Sequence, residues 1–287
     1  MMQARSVGYI LAFAAAVSLV CGVLVSAAAV TLKERQRANA EIERKTNVLL
    51  AAGLVAPDEE LTPAGVEERF GRVRGAVVDL ETGAEVEGVD PATFDQQKAK
   101  LDPELGRSAP VNAAGIKRVP RYAVVYRVLD ESGRTRMVVL PIEGLGLWST
   151  LYGYVAIDAD LETVRGLTYY RHGETPGLGG EVDNPRWKGL WPGRRAFSPD
   201  GEVMIEVIKG SAGPPDQDPY RVDGLSGATI TSRGVTQMLR FWLGENGFGP
   251  FLERLREESG VTTAAPHPVA AAPRSVSTSA PRGSAGS

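Results

Sequence analysis

The chain has 287 residues, a net charge of -3 and 43% hydrophobic content, which suits one or two folded domains with short additions. So small a charge, with no Lys/Arg stripe, argues against a nucleic-acid partner. A single cysteine, Cys21, excludes an intramolecular disulfide and a CxxC site, and two histidines make a His-rich metal site a poor reading, so any redox or group-transfer chemistry needs an organic cofactor.

Val7 to Leu32 contains no charged residue. That is longer than the roughly 7–15 residues of a signal-peptide core and meets the roughly 20 that cross a bilayer, so residues 1–32 read as a transmembrane anchor. A cleaved signal ending near Ser26, Ala27 and Ala28 is the competing reading. Arg5 precedes the segment, while Lys33, Arg35 and Arg37 follow it beside Glu34; counted by the positive-inside rule, this weakly places the large domain in the cytoplasm. Residues 33–53 mix Glu with Arg and Lys at three- and four-residue spacings, the pattern of a solvated helical stalk.

Residues 54–260 form the body. Strands are expected at Gly75–Leu80, Tyr122–Leu129, Met137–Ile142, Leu151–Ile157, Val164–Tyr170 and Val203–Ile208. Helices are expected at Pro91–Lys100, Ser232–Glu245 and Gly249–Glu258. Strands adjacent in sequence, with helices set apart, predict an α+β domain. After Gly260 the composition turns to Ala, Pro, Ser and Gly, so residues 261–287, including His267, read as a disordered tail.

Three stretches of the body could carry chemistry. In Asp223-Gly-Leu-Ser-Gly-Ala-Thr229, the small residues Ser226, Gly227 and Ala228 leave the backbone open to close approach, and Thr229 shows a hydroxyl at the mouth of the turn. Val235, Met238, Leu239 and Trp242 follow at i, i+3, i+4 and i+7, so a helix starts near Thr231 or Ser232. Its free N–H groups would favour a phosphate, and Asp223 is placed to brace the turn. A capped helix with a tight lead-in accounts for the same spacing.

The second stretch, His172-Gly-Glu-Thr-Pro-Gly-Leu-Gly-Gly180, projects Leu178 from a loop rich in glycine, including Gly179, a shape suited to a flat ring. Glu174 and Thr175 could bond heteroatoms at the ring edge or on a polyol arm. A plain surface loop is the simpler reading. The third, Gly144-Leu-Gly-Leu-Trp148, follows a strand; Trp148 either covers a ligand or packs in the core, and the burial habit of Trp favours the core.

Together and in this order behind one membrane helix, these stretches resemble the NqrC family, flavin-carrying components of the Na⁺-translocating NADH:quinone reductase. Asp223 to Thr229 matches that family's flavinylation motif in full, and Glu174–Val182 and Gly144–Trp148 look like its other two signatures. The resemblance implies an electron-transfer subunit carrying covalent FMN as a phosphoester on Thr229, installed by a separate flavin transferase from FAD. It implies flavin contacts from Leu178 and Thr175, with Trp148 lining the site. It implies a periplasmic main domain, against the charge count, and partners among the other subunits of an inner-membrane complex that reduces ubiquinone. NADH would bind elsewhere, because no GxGxxG is present. The related G-type component of the Rnf electron-transport complex, with the same covalent FMN, is the near alternative; the GLGLWS-type run and the ENP that follows the glycine loop in the quinone reductase, read here as Asp183-Asn184-Pro185, favour the quinone reductase. A membrane-anchored hydrolase built on Ser226 or Thr229, His172 and Asp223 lacks the GxSxG elbow. A non-catalytic scaffold is the remaining class.

Overall fold

The computed structural model describes residues 7–259, so Arg5 and the expected tail at 261–287 lie outside the described residues. A single helix, α1, runs from Val7 to Ala51, joining the expected anchor and stalk without a break. It is long and apolar enough to cross a membrane, and its apolar stretch is wholly exposed. Its far end is not a plain solvated stalk. Val48, Leu49 and Ala51 are fully buried, and Lys45 ties the helix to its neighbour α2 (Pro63–Phe70) through Glu67 at 2.7 Å.

The centre of the domain is a five-stranded antiparallel sheet in the order β1-β4-β5-β6-β7. Its strands are β1 (Val73–Asp79), β4 (Tyr122–Leu129), β5 (Thr135–Leu145), β6 (Thr150–Asp158) and β7 (Val164–Arg171). The short pair β2 (Gly106–Ser108) and β3 (Arg118–Pro120) sits outside it. Each central strand feeds two cores by its period of two. Val124, Tyr126, Met137, Val139 and Tyr154 point to the face covered by α1 and α2. Ala123, Val125, Val138, Leu140, Ile142 and Val155 point to the opposite face. That second face is covered by the C-terminal helices α5 (Thr229–Leu243) and α6 (Gly249–Ser259), together with Trp187 of the one-turn α4 (Pro185–Lys188).

The α+β class is therefore as expected, while several boundaries move for physical reasons. The expected helix at Pro91–Lys100 shortens to α3, Gln96–Leu101, because the Asp95 carboxylate accepts from the N–H groups of Gln97 and Lys98 and starts the helix there. The expected strand at Val203–Ile208 reduces to β8, Glu206–Val207, which pairs in parallel with β9, Arg221–Val222. Strand β5 extends to Leu145, so Gly144 of the glycine-tryptophan stretch still lies on the sheet.

Helix α5 crosses the end of β5 at close range. A Cβ on Gly144 would stand 2.9 Å from Met238 Cβ, and one on Gly234 would strike the Leu145 carbonyl, so both positions need glycine for helix and strand to meet. Trp242 then locks the crossing, its indole N–H donating to the Glu143 carbonyl at 2.7 Å.

Because the end of α1 is core rather than stalk, Leu49→Ala should lower the stability of the full chain by about 2–5 kcal/mol. Leu32→Ala, on the exposed apolar stretch, should leave it unchanged. Denaturant unfolding of detergent-solubilised protein, followed by tryptophan fluorescence, would separate the two; equal effects would show that α1 ends outside the core.

Candidate functional site

Three loops meet at one end of the sheet: the segment after β5, the segment after β7, and the turn entering α5. Their meeting point is the carboxylate of Glu174, whose residue is 5% exposed. It accepts from the N–H groups of Leu147 at 3.1 Å, Trp148 at 2.9 Å and Ser149 at 3.1 Å, and from the Thr231 hydroxyl at 2.7 Å. Four strong donors fill the lone-pair sites of a carboxylate. Burial pushes its pKa up, but the Thr231 hydroxyl and the three amides outweigh that and hold it below the ordinary value.

Glycine makes this approach feasible. A Cβ on Gly146 would lie 2.6 Å from Glu174 Oε1, and one on Gly179 would lie 2.5 Å from Oε2 and 2.7 Å from Thr231 Oγ1. Glu174 is thus the clamp of the site, and the expectation that it bonds a ligand ring edge is corrected: its acceptor sites are taken within the chain. Gly179 serves the same packing.

The clamp leaves two apolar side chains in the open. Trp148 is 70% exposed, which corrects the expectation that it packs in the core; its backbone is held by Glu174 and its ring stands free. Leu178 is 44% exposed and rests on the turn before α5, where a Cβ on Gly227 would come within 2.9 Å of Leu178 Cδ2. Leu147, beside Trp148, and Ile230, in the first turn of α5, are also exposed. Thr175 is exposed, and its carbonyl closes the loop by accepting from the N–H groups of Leu178 and Gly180.

Ser226 and Gly227 are the central residues of a tight turn closed by Ala228 N–H donating to the Leu225 carbonyl at 3.1 Å. Gly227 has φ +70°, the value a type II turn requires at its third residue, so glycine is needed there both for backbone and for Leu178. Helix α5 begins at Thr229, two to three residues earlier than periodicity predicted. Ala228 occupies the cap position and supplies no side-chain acceptor, so the first-turn N–H groups stay open beside the Thr229 hydroxyl. Thr229 is exposed, and its hydroxyl has no hydrogen-bond partner among the described residues.

Asp223 does not brace this turn as expected. Its carboxylate accepts from Ala212 N–H at 2.8 Å and its carbonyl from the Trp187 indole N–H at 2.9 Å, so it secures the loop behind. The turn is held instead by Ser232, whose hydroxyl accepts from Leu225 N–H at 3.0 Å.

Thr229 also stands on the rim of a cleft of about 730 Å³ between α5 and the β8–β9 segments. The cleft carries Lys209, Arg233 and Arg240 against Glu206 and Asp223. Sequence reasoning missed Thr231, Ser232, Lys209 and Arg233. Thr231 meets Glu174 across 57 positions of sequence, a pairing without a local signal.

The hydrolase constellation is not assembled. His172 Nε2 lies 2.7 Å from Asp183 Oδ2, and its Nδ1 accepts from Glu174 N–H at 3.2 Å, so both ring nitrogens are engaged away from Ser226 and Thr229.

Loss of the clamp should be visible in stability and its pH dependence. Glu174→Gln keeps the shape but faces an amide donor toward backbone donors, and should cost about 2–4 kcal/mol at neutral pH. The native carboxyl lies below the ordinary value of 4.5, so its contribution is full above that value and is lost as pH falls through the lowered native pKa. Denaturation curves of the two proteins should therefore converge on acidification; a gap that is constant with pH would mean the charge is not what stabilises.

Residues 146–244 match the FMN-binding domain family, a span that begins in the Trp148 loop and ends with α5. The chain is 45% identical over 255 residues to the C subunit of the Na(+)-translocating NADH-quinone reductase of Yersinia pestis, covering 88% of this chain and 94% of that protein. It is 44% identical over 245 residues to the corresponding protein of Pseudomonas aeruginosa, covering 84% and 93%. The crystal structure of Shewanella oneidensis NqrC superposes with a TM-score of 0.70 at 35% identity, covering 76% of this chain and 98% of that one. These likenesses favour the quinone reductase over the Rnf-type alternative, and with one apolar helix long enough to span a bilayer they describe a single-pass membrane component of an oxidoreductase complex. With its Glu174 clamp and open α5 turn inside the matched span, this chain belongs to the NqrC family of Na⁺-translocating NADH-quinone reductases, flavoproteins with an FMN-binding domain.

Proposed function

We propose that the chain carries FMN covalently, through a phosphoester on Thr229 Oγ1, and passes electrons by way of that flavin within the membrane complex. The observation that carries this reading is Thr229 itself. It presents an exposed hydroxyl without a partner among the described residues, on the first residue of a helix whose N–H groups no side chain caps. A phosphate on that oxygen would meet open N–H groups and the positive end of the helix.

The residues around it suit the rest of the group. Exposed Trp148 and Leu178 offer apolar contact for a planar ring, while Thr175 and Ser226 offer hydroxyls for a polyol arm. FMN supplies the electron chemistry when bound; the chain's part is to hold the ring and exclude loss of the cofactor between redox states.

Among the described residues no base pairs with the Thr229 hydroxyl to activate it, and a threonine hydroxyl is a weak nucleophile. Attachment is therefore assigned to a separate flavin transferase. Thr229 Oγ1 bonds to the flavin-side phosphorus of FAD, the P–O–P bond breaks, AMP leaves, and the hydroxyl proton passes to a base of the transferase. The orientation we favour places the domain in the periplasm, where the family resemblance puts it.

Full-length protein from its own host should run as a fluorescent band on a denaturing gel under ultraviolet light and weigh one FMN phosphoryl group more than the polypeptide. Thr229→Ala should abolish both, and Thr229→Ser should retain part of the loading. A bare polypeptide mass for the native protein, or a fluorescent Thr229→Ala band, would overturn the reading.

A further inference from the structure

The cleft beside Thr229 holds two cations unmatched by any acid among the described residues. Arg240 is matched to Glu206 at 3.2 Å, and Arg221 reaches the same carboxylate at 3.5 Å. The other acid of the cleft, Asp223, is turned to the Ala212 amide. Lys209 and Arg233 are exposed, line the same cleft as Thr229, and have no ion pair or hydrogen bond to their side chains among the described residues. They come from opposite walls: Lys209 from the segment after β8, and Arg233 from α5.

Helical phase adds to this. Arg233 follows Thr229 by four residues, so both side chains lie on one face of α5, one above the other. Long side chains in helices lean toward the N-terminus, which carries the guanidinium of Arg233 up toward Thr229. Two unmatched cations flanking an exposed hydroxyl at an uncapped helix start are arranged for an anion, and a guanidinium in particular suits the paired oxygens of a phosphoryl group.

We infer that Arg233, with Lys209 across the cleft, receives the phosphoryl arm of the flavin at Thr229 and neutralises the charge that the ester retains. The assignment rests on Thr229 as the attachment point and adds what that reading lacks, a side-chain partner for the phosphate. It gives the cleft a role separate from that of the Trp148 and Leu178 side of the turn. The apolar side takes the ring, and the basic cleft takes the anionic arm, so the ester is gripped on two sides of one residue. It also sets a preference at loading, because a flavin without phosphate has nothing for either cation to hold.

Full-length protein made in a host without the transferase would be incubated with purified transferase and FAD, and its mass gain followed in time. Wild type should load. Arg233→Ala and Lys209→Ala should each load roughly tenfold more slowly, the scale set by one lost charge-assisted hydrogen bond. Arg233→Lys should recover part of the rate, and Arg134→Ala, at an exposed arginine that does not line the cleft, should load as wild type does. The loaded proteins give a second readout. The phosphorus resonance of the wild type should move with added salt as the exposed ion pairs are screened, and that of Arg233→Ala with Lys209→Ala should already lie at the high-salt position. Wild-type loading rates and an unshifted phosphorus resonance in these variants overturn the assignment while leaving Thr229 intact. A wild-type chain that never gains the flavin mass overturns the attachment and this assignment with it.

Discussion

The site depends on one carboxylate that no cofactor needs to touch. Glu174 gathers three consecutive amides of the Trp148 loop and a hydroxyl of α5 onto two oxygen atoms. Loops of this kind have little apolar surface with which to fix themselves. A buried carboxylate among four donors fixes them instead, because the Thr231 hydroxyl would otherwise be an unpaired buried polar group and the three amides would lose partners at a partly buried junction. The arrangement carries three separate chain segments to one point and sets their order. Trp148 stands exposed on a backbone held this way, while the Leu178 backbone is held by the Thr175 carbonyl. The Thr231 bond of that set ties the first turn of α5, and with it Thr229, to the end of the sheet.

The glycines belong to this logic and not to flexibility. Gly146 and Gly179 are small so that Glu174 can come in; Gly144 and Gly234 are small so that α5 can cross β5. Gly177 and Gly227 are required for their backbone angles, φ +76° and +70°. A glycine-rich reading of the sequence suggests a bare, mobile loop around a ligand. What the structure contains is a closely packed junction in which the open surface lies on one side only, toward Thr229, Trp148 and Leu178. Rigid placement suits a carrier whose cofactor must keep one geometry through repeated redox changes.

Much of this was legible in the sequence where the signal is local. Strand periodicity located all five strands of the main sheet, since each alternates between two apolar cores. The α5 stripe of Val235, Met238, Leu239 and Trp242 proved wholly buried. The start of that helix was misplaced because sequence rules look for a side-chain cap, and Ala228 provides none. The missing cap is also what leaves the first-turn N–H groups without a side-chain partner. Trp148 was misjudged because the burial habit of Trp is an average over residues that pack by their rings, whereas here the backbone is anchored and the ring is not. Asp223 and Glu174 were given the wrong neighbours for a related reason. An acid in a motif reads as a neighbour of that motif, yet Asp223 holds the loop behind it, and Glu174 acts across a sequence distance that no local pattern records.

The placement of α1 connects the site to the membrane. From Leu32 to the first fully buried residue, Val48, the helix rises about 24 Å at 1.5 Å per residue, beyond the reach of lipid headgroups. Its end then packs on the sheet closely enough that a Cβ on Gly166 of β7 would collide with the Ala51 carbonyl. A helix buried at its end and continuous through its length is a strut and not a tether. The α5 helix lies on the other face of the same sheet, and β5 and β7 run from the α1 contact toward the loops that Glu174 clamps. Thr229 is therefore linked to α1 through the sheet and, by the bond between Thr231 and Glu174, to the loop that follows β7. An electron carrier inside a larger assembly works by the separation between its cofactor and the next, and the packing of α1 and α5 on opposite faces of one sheet bears on this chain's part of it. Partner subunits would then receive a flavin at a set height, and motion needed for transfer would have to come from the partners or from the domain moving with its anchor as one body.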